Sequence, residues 1–380
     1  MMTNPQQSLR YAVAALIAAF ALTLGACASR PGPSVLAPVT GIDGTRLVTV
    51  FVASTRAREM SSPALLTNQI TTTPSYVRYV ISIPPIHRPT EIEWPTDLPD
   101  PARHFAVVSS EAVDEKGFFE EVGGSAGRAE ALGRDVGIFV HGFNNSFQES
   151  LFRMAQLVVD GNVTHSAVLF TWPSKAEVTA YLADREAATF SRDALAHLIA
   201  RVAADRHVRG VKLLAHSMGS WLAMEAIRQI RIAEDDRAIA KLVDVTLAAP
   251  DIDAEVFLQQ LRIIGRLRSP VTVLVSREDQ ALSLSRFLAG GQFRAGAADI
   301  DAPRSAIEAG NANLRVIDIS NLATQAGSGH DGFTAFSSIY GRFQNSRDGR
   351  VAADVGPGVY VLDVADRLQT NGSKLIVRTP

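Results

Sequence analysis

Cysteine is almost missing from the chain: there is one, Cys27, in 380 residues. A disulfide framework within the chain and any multi-cysteine zinc site are thereby excluded. An excess of either charge is missing too, with 37 Lys+Arg against 39 Asp+Glu and a formal net charge of −2. That balance, without a long basic run, gives no reason to expect a nucleic acid or another polyanion as partner. Charged residues make up 20 % and apolar ones 47 %, which excludes wholesale disorder and supplies a large core. There is no P-loop, no H-E-x-x-H pair and no Gly-rich turn after a convincing strand. Nucleotide, zinc and dinucleotide chemistry therefore find no support, and neither a cofactor nor a metal is expected. Internal repeats are also lacking.

The longest apolar run near the N-terminus, Ala12–Ala26, falls short of the roughly 20 residues that a membrane-spanning helix needs. It follows a polar start ending in Arg10 and closes on small residues, which describes a secretory signal. Leu24-Gly25-Ala26-Cys27 resembles the lipobox of bacterial lipoproteins, where the cysteine is acylated and becomes the new N-terminus. An ordinary signal peptide with an incidental cysteine is the other reading. The lipobox is favoured because Cys27 is the sole cysteine and a tether-like stretch follows it. By that resemblance residues 1–26 are a signal peptide, 27–45 a tether, and Ala28-Ser29 directs the chain to the outer membrane, facing the periplasm.

Arg46–Ser54, Tyr76–Ile83 and His104–Ser110 read as strands, with a proline-punctuated loop before the third. From residue 135 a regular alternation begins. Strand-like runs at Val136–Val140, Ala167–Thr171, Val211–Ala215, Val243–Ala248, Val271–Val275 and Leu314–Ile319 are mostly continuous apolar segments, as in parallel strands buried on both faces. Between them lie helix-like segments at Ser146–Val159, Lys175–Ala203, Met218–Ile232, Ala254–Ile263 and Ala281–Leu288. The pattern predicts an α/β fold with a mostly parallel central sheet flanked by helices. Ala289–Asn313 breaks the rhythm and reads as an insertion rather than a lid. Beyond 345 the tail shows one strand-like run, Gly358–Val364.

The chemistry concentrates at Leu214-Ala215-His216-Ser217-Met218-Gly219, where a buried strand gives way to a helix. This resembles the nucleophile elbow G-x-S-x-G of the α/β-hydrolases, with Ala215 for the first glycine. Residues two before and two after the serine must be small, because the turn brings strand and helix together. A helix N-terminus then faces the developing negative charge. His141-Gly142-Phe143-Asn144 follows another strand, and by the same resemblance the amides of Phe143 and Met218 form the oxyanion hole. A serine needs a base. Of the eight histidines, His330, in a glycine-flanked loop beyond the last strand-like run, holds the base position of that fold. The acid follows the penultimate strand at Asp279, beside Glu278; Asp251, after the preceding strand, is the alternative. Trp172 reads either as pocket lining or as core. Tyr181 and the Asp184-Arg185-Glu186 run read as a solvated or ion-paired helix face.

HGFNNSF, TWPS, AHSMGSW, LAAPDID and SREDQAL in this order resemble a bacterial family of uncharacterised α/β-hydrolases, esterase- or lipase-like, over roughly residues 46–340. The resemblance implies an α/β-hydrolase domain at 46–345, with a C-terminal extension at 346–380. It also implies a serine hydrolase for small-molecule or lipid esters, working through Ser217, His330 and Asp279. An amidase or thioesterase would use the same groups. A non-catalytic envelope lipoprotein that uses the scaffold for binding is the alternative of a different class.

Overall fold

The computed structural model describes residues 30–95, 98–128, 134–275, 314–319 and 360–363. The chain divides into two units, Met1–Gly32 and Pro33–Pro380, and the fold belongs to the second. Its strands are β1 (Arg46–Arg58), β2 (Leu66–Ile83), β3 (Ala106–Val113), β4 (Asp135–Val140), β5 (Ser166–Thr171), β6 (Gly210–His216), β7 (Leu242–Ala248), β8 (Val271–Val275), β9 (Leu314–Asp318) and β10 (Tyr360–Asp363). Its helices are α1 (Glu115–Arg128), α2 (Phe147–Asp160), α3 (Tyr181–Phe190), α4 (Arg192–Ala204), α5 (Met218–Ile232), α6 (Asp236–Lys241) and α7 (Ala254–Ile264).

All described strands join one ten-stranded sheet in the order β10-β9-β8-β7-β6-β4-β5-β1-β2-β3. From β1 through β5, β4, β6, β7 and β8 to β9 every neighbour is parallel. The antiparallel partners are β2 and β3 at one edge and β10 at the other. β5 and β8 are buried at every position, the physical reason for their continuous apolar runs. Alternation within β4 sends Val136, Ile138 and Val140 into one core and Phe139 into the other. Helices α1, α4, α5 and α7 cover the first core, and α2 covers the second with Leu151, Phe152 and Ala155. Helix α2 begins at a capping box, Ser146 and Glu149 exchanging side chain and backbone bonds.

Four expectations change. The helix expected over 175–203 is a 3-10 turn at Val178–Ala180 followed by α3 and α4, broken at Ser191. The buried Ser191 hydroxyl donates 2.7 Å back to Ala187 O and lies 2.7 Å from Thr55 Oγ1, a bond that competes with the helix ladder. Helix α1 was hidden by its glycines, which disfavour helices. One of them is closely approached: a Cβ on Gly123 would lie 2.0 Å from Asp205 Oδ2, so that carboxylate would have to shift. The short α6, capped by Asp235 onto Ala238 N, carries too few turns for a period to show. Finally, the domain is wider than 46–345. From Pro33 the expected tether packs onto it, burying Val35 and Leu36 and pairing Val39 N with Val107 O at 2.9 Å. At the other end β10 adds part of the expected extension to the sheet. Among the described residues no helix is long and apolar enough to cross a membrane.

Candidate active site

Between the end of β6 and the start of α5, Ser217 alone makes the turn, at φ 52° and ψ −120°. A positive φ on a residue with a Cβ is strained by about 1–3 kcal/mol and persists only where its surroundings hold it. Here they do. Ser217 N donates to Ala248 O at 2.9 Å, and Ser217 O accepts from Ser220 N at 2.9 Å and Asp251 N at 3.2 Å. The small residues are required as the motif predicts. A Cβ on Gly219 would lie 2.3 Å from His141 O, and Ala215 is fully buried. Met218 opens α5, so its amide belongs to the helical turn whose N–H groups have no partner within the helix.

The His141–Asn145 loop reaches the same point from β4. A Cβ on Gly142 would lie 3.0 Å from Ser217 Cβ and 2.9 Å from His216 Nδ1, so the loop rests directly on the serine turn. Four of its carbonyls are held, one of them within the loop, where Asn145 Nδ2 donates to Phe143 O at 2.8 Å. His141 Nδ1–H donates to Gly142 O at 2.9 Å, Trp172 Nε1 donates to His141 O at 3.0 Å, and Arg56 Nη2 donates to Asn145 O at 3.2 Å. Asn144, at φ 60°, gives its backbone N–H to Asp184 Oδ2 at 3.4 Å.

Below the loop lies a buried polar network. Arg56, at 2 % exposure, donates from Nε to Thr171 Oγ1 at 3.0 Å and from Nη1 toward the carbonyls of Thr67 and Ser174. Burial pulls its guanidinium down to about 9, against the opposing pull of the Asp184 carboxylate. Asp184 accepts from Ser174 Oγ at 2.5 Å and Lys175 N at 2.7 Å. Burial holds its carboxyl above the ordinary range, although these bonds, the Asn144 amide and Arg56 oppose that shift. His141, stacked on Trp172 with centroids 4.9 Å apart, is lowered to about 3 by burial and then by Arg56. It is a neutral imidazole at any physiological pH.

Tyr181 and Asp184 are thus buried, which overturns the solvated alternative for them, whereas Glu186 is exposed and Arg185 half-buried. They lie on the face of α3 turned inward, where their contacts are polar. Tyr181 Oη donates to Asp251 Oδ2 at 2.8 Å, and its ring meets Phe143 edge-on at 5.3 Å. Asp251 is 1 % exposed and joined to Ser217 through its own amide. Trp172 is core. The structure therefore brings Ser217, Met218, Phe143 and Asp251 together. Asp279, Glu278, His330 and Cys27 lie outside the described residues, as do the segments expected at Ala281–Leu288 and Ala289–Asn313. Arg56, Thr171 and the role of Asp184 escaped the sequence reading. Nothing local marks Arg56, which lies near the end of β1 between Thr55 and Ala57, with another arginine, Arg58, closing the strand. Among the described residues no group of three or more His, Cys, Asp or Glu could hold a metal ion.

A strained serine between a parallel strand and a helix, in a mostly parallel sheet, defines the α/β-hydrolase class. The chain belongs to the family described as alpha/beta hydrolase of unknown function (DUF900), whose model matches residues 129–347. Among solved structures, the chain is similar to an esterase of Pyrobaculum calidifontis, at 12 % identity and a TM-score of 0.29. The match covers 83 % of this chain and 86 % of that one. No curated protein matches the chain.

Proposed function

We propose that the protein is a serine hydrolase acting on carboxylic esters. The observation that carries this reading is the Ser217 turn, strained, buried at its base and packed against Gly142. In the proposed reaction Ser217 Oγ attacks the ester carbonyl while His330 takes its proton and Asp279 orients the imidazole. The amides of Phe143 and Met218 hold the oxyanion, each worth roughly 3 kcal/mol in the transition state. His330 then protonates the leaving alcohol, and water activated by the same base releases the acid from the acyl-enzyme.

A second acid has its own support. Asp251 is buried, receives the Tyr181 hydroxyl and bonds to the serine's carbonyl through its amide, so it is the alternative partner for the imidazole. The proposal also places the protein in the cell envelope, anchored by acylated Cys27. A fluorophosphonate probe tests the central claim: wild-type protein should take the label at Ser217, and folded Ser217→Ala should not. Absence of labelling in both would return the chain to a binding role.

A further inference from the structure

The Arg56 guanidinium is buried, and no step of the proposed reaction uses it. Its hydrogen bonds nevertheless lead to the oxyanion loop, and every donor along the way can be assigned. Arg56 Nε–H donates to Thr171 Oγ1 at 3.0 Å. Gly142 O can only accept, so the proton of His141 sits on Nδ1 and its Nε2 is an acceptor. The Trp172 backbone N–H donates to that Nε2 at 3.2 Å. The Thr171 hydroxyl, 3.0 Å from the same Nε2, can bond to it only as a donor, sharing the nitrogen's one lone pair with the Trp172 N–H. The chain of donors runs from Arg56 through Thr171 and His141 and ends on Gly142 O as acceptor.

The last bond matters most. A trans peptide is rigid and planar, and the C=O of one residue points opposite to the N–H of the next. Pinning Gly142 O to His141 therefore aims the Phe143 N–H away from His141. Buried chains of this kind also polarise one another, and the neutral state of His141 keeps the direction of each donor constant with pH. Arg56 also holds the far side of the loop through Asn145 O, at 3.2 Å.

We infer that Arg56 is a positioning residue for the oxyanion hole, acting through Thr171 and His141 on the peptide that carries the Phe143 amide. The inference rests on the hydrolase reading and deepens it. Replacing the buried arginine risks the fold, so the test breaks the relay at Thr171. Thr171→Val keeps the shape and removes the hydroxyl, while Thr171→Ser keeps the hydroxyl. Rates are measured on a short-chain ester and on its thionoester, whose sulfur makes poor use of an oxyanion hole.

Thr171→Val should lower kcat on the oxygen ester about tenfold with KM within about twofold, a fraction of what deleting an oxyanion donor costs. The thionoester rate should change little, so the ratio of the two rates collapses, and Thr171→Ser should restore most of it. Equal losses on both esters, or a wild-type ratio in Thr171→Val, would overturn the inference while leaving the hydrolase reading intact. A wild-type protein that neither hydrolyses the ester nor takes a fluorophosphonate would overturn both.

Discussion

The two candidate acids, Asp251 and Asp279, are ranked by the expected effects of removing their charge. Asp251 is tied to Tyr181 Oη at 2.8 Å and through its amide to Ser217 O at 3.2 Å. Its carboxylate thus has a structural use whether or not it faces the base. In the proposed triad it is Asp279, four residues beyond the end of β8 in the chain, that holds the imidazole. Asp279→Asn should therefore cost several tens-fold more kcat/KM than Asp251→Asn on one small ester, on the roughly 10⁴-fold precedent for such a change in a triad. The reverse ranking transfers the acid to Asp251. Histidines separate in the same way. His141 is neutral down to about 3 because of burial and Arg56, and His165 down to about 4 because of burial and Lys212. Neither titrates where a general base of ordinary basicity does. A plot of kcat/KM against pH should accordingly fall on acidification with one midpoint at about 6–7.5, from His330. A flat profile from about pH 5 to 8 removes the triad.

At the scale of elements, the proline-rich connection between β2 and β3 is fastened to the end of α2 around the His87 imidazole. His87 lies between Glu93 Oε2 at 2.9 Å and Asp160 Oδ1 at 3.0 Å, so both ring nitrogens face carboxylates. Asp160 also receives Thr90 N, Glu93 receives Arg88 N, and the His87 ring meets Phe105 at 5.3 Å. Burial works against the charged ring, but the two carboxylates outweigh it and hold His87 above its ordinary value. A raised folded value fixes the sign. The clamp contributes fully below the unfolded value of about 6.5 and is lost as pH rises through the folded one. The thermal midpoint should therefore decline as pH rises above about 6.5, and His87→Gln should flatten that decline. Parallel slopes for the two proteins would show that the clamp does not titrate. Element boundaries were legible where burial is two-sided, as in β5 and β8, and illegible where glycines or one buried hydroxyl decide. Helix α1 and the Ser191 break are the two cases.

For the whole molecule, the proposed anchor at Cys27 would keep the catalytic unit at a membrane surface. Cys27→Ser should move the protein from the membrane fraction to the soluble one, and mass spectrometry should find the wild-type chain beginning at an acylated Cys27. An unmodified N-terminus elsewhere contradicts the anchor. Sequence by itself determined the alternation of strand and helix, the serine turn and the His-Gly loop, because each is written in consecutive residues. Small residues at 215 and 219 and continuous apolar runs are local consequences of tight turns and two-sided burial. What only the tertiary structure decided is which polar groups are buried together. Arg56 meets Thr171 across 115 positions and Tyr181 meets Asp251 across 70. A charged residue in a local pattern reads as solvated. It becomes part of a buried network only when distant strands and helices remove its water and supply its partners.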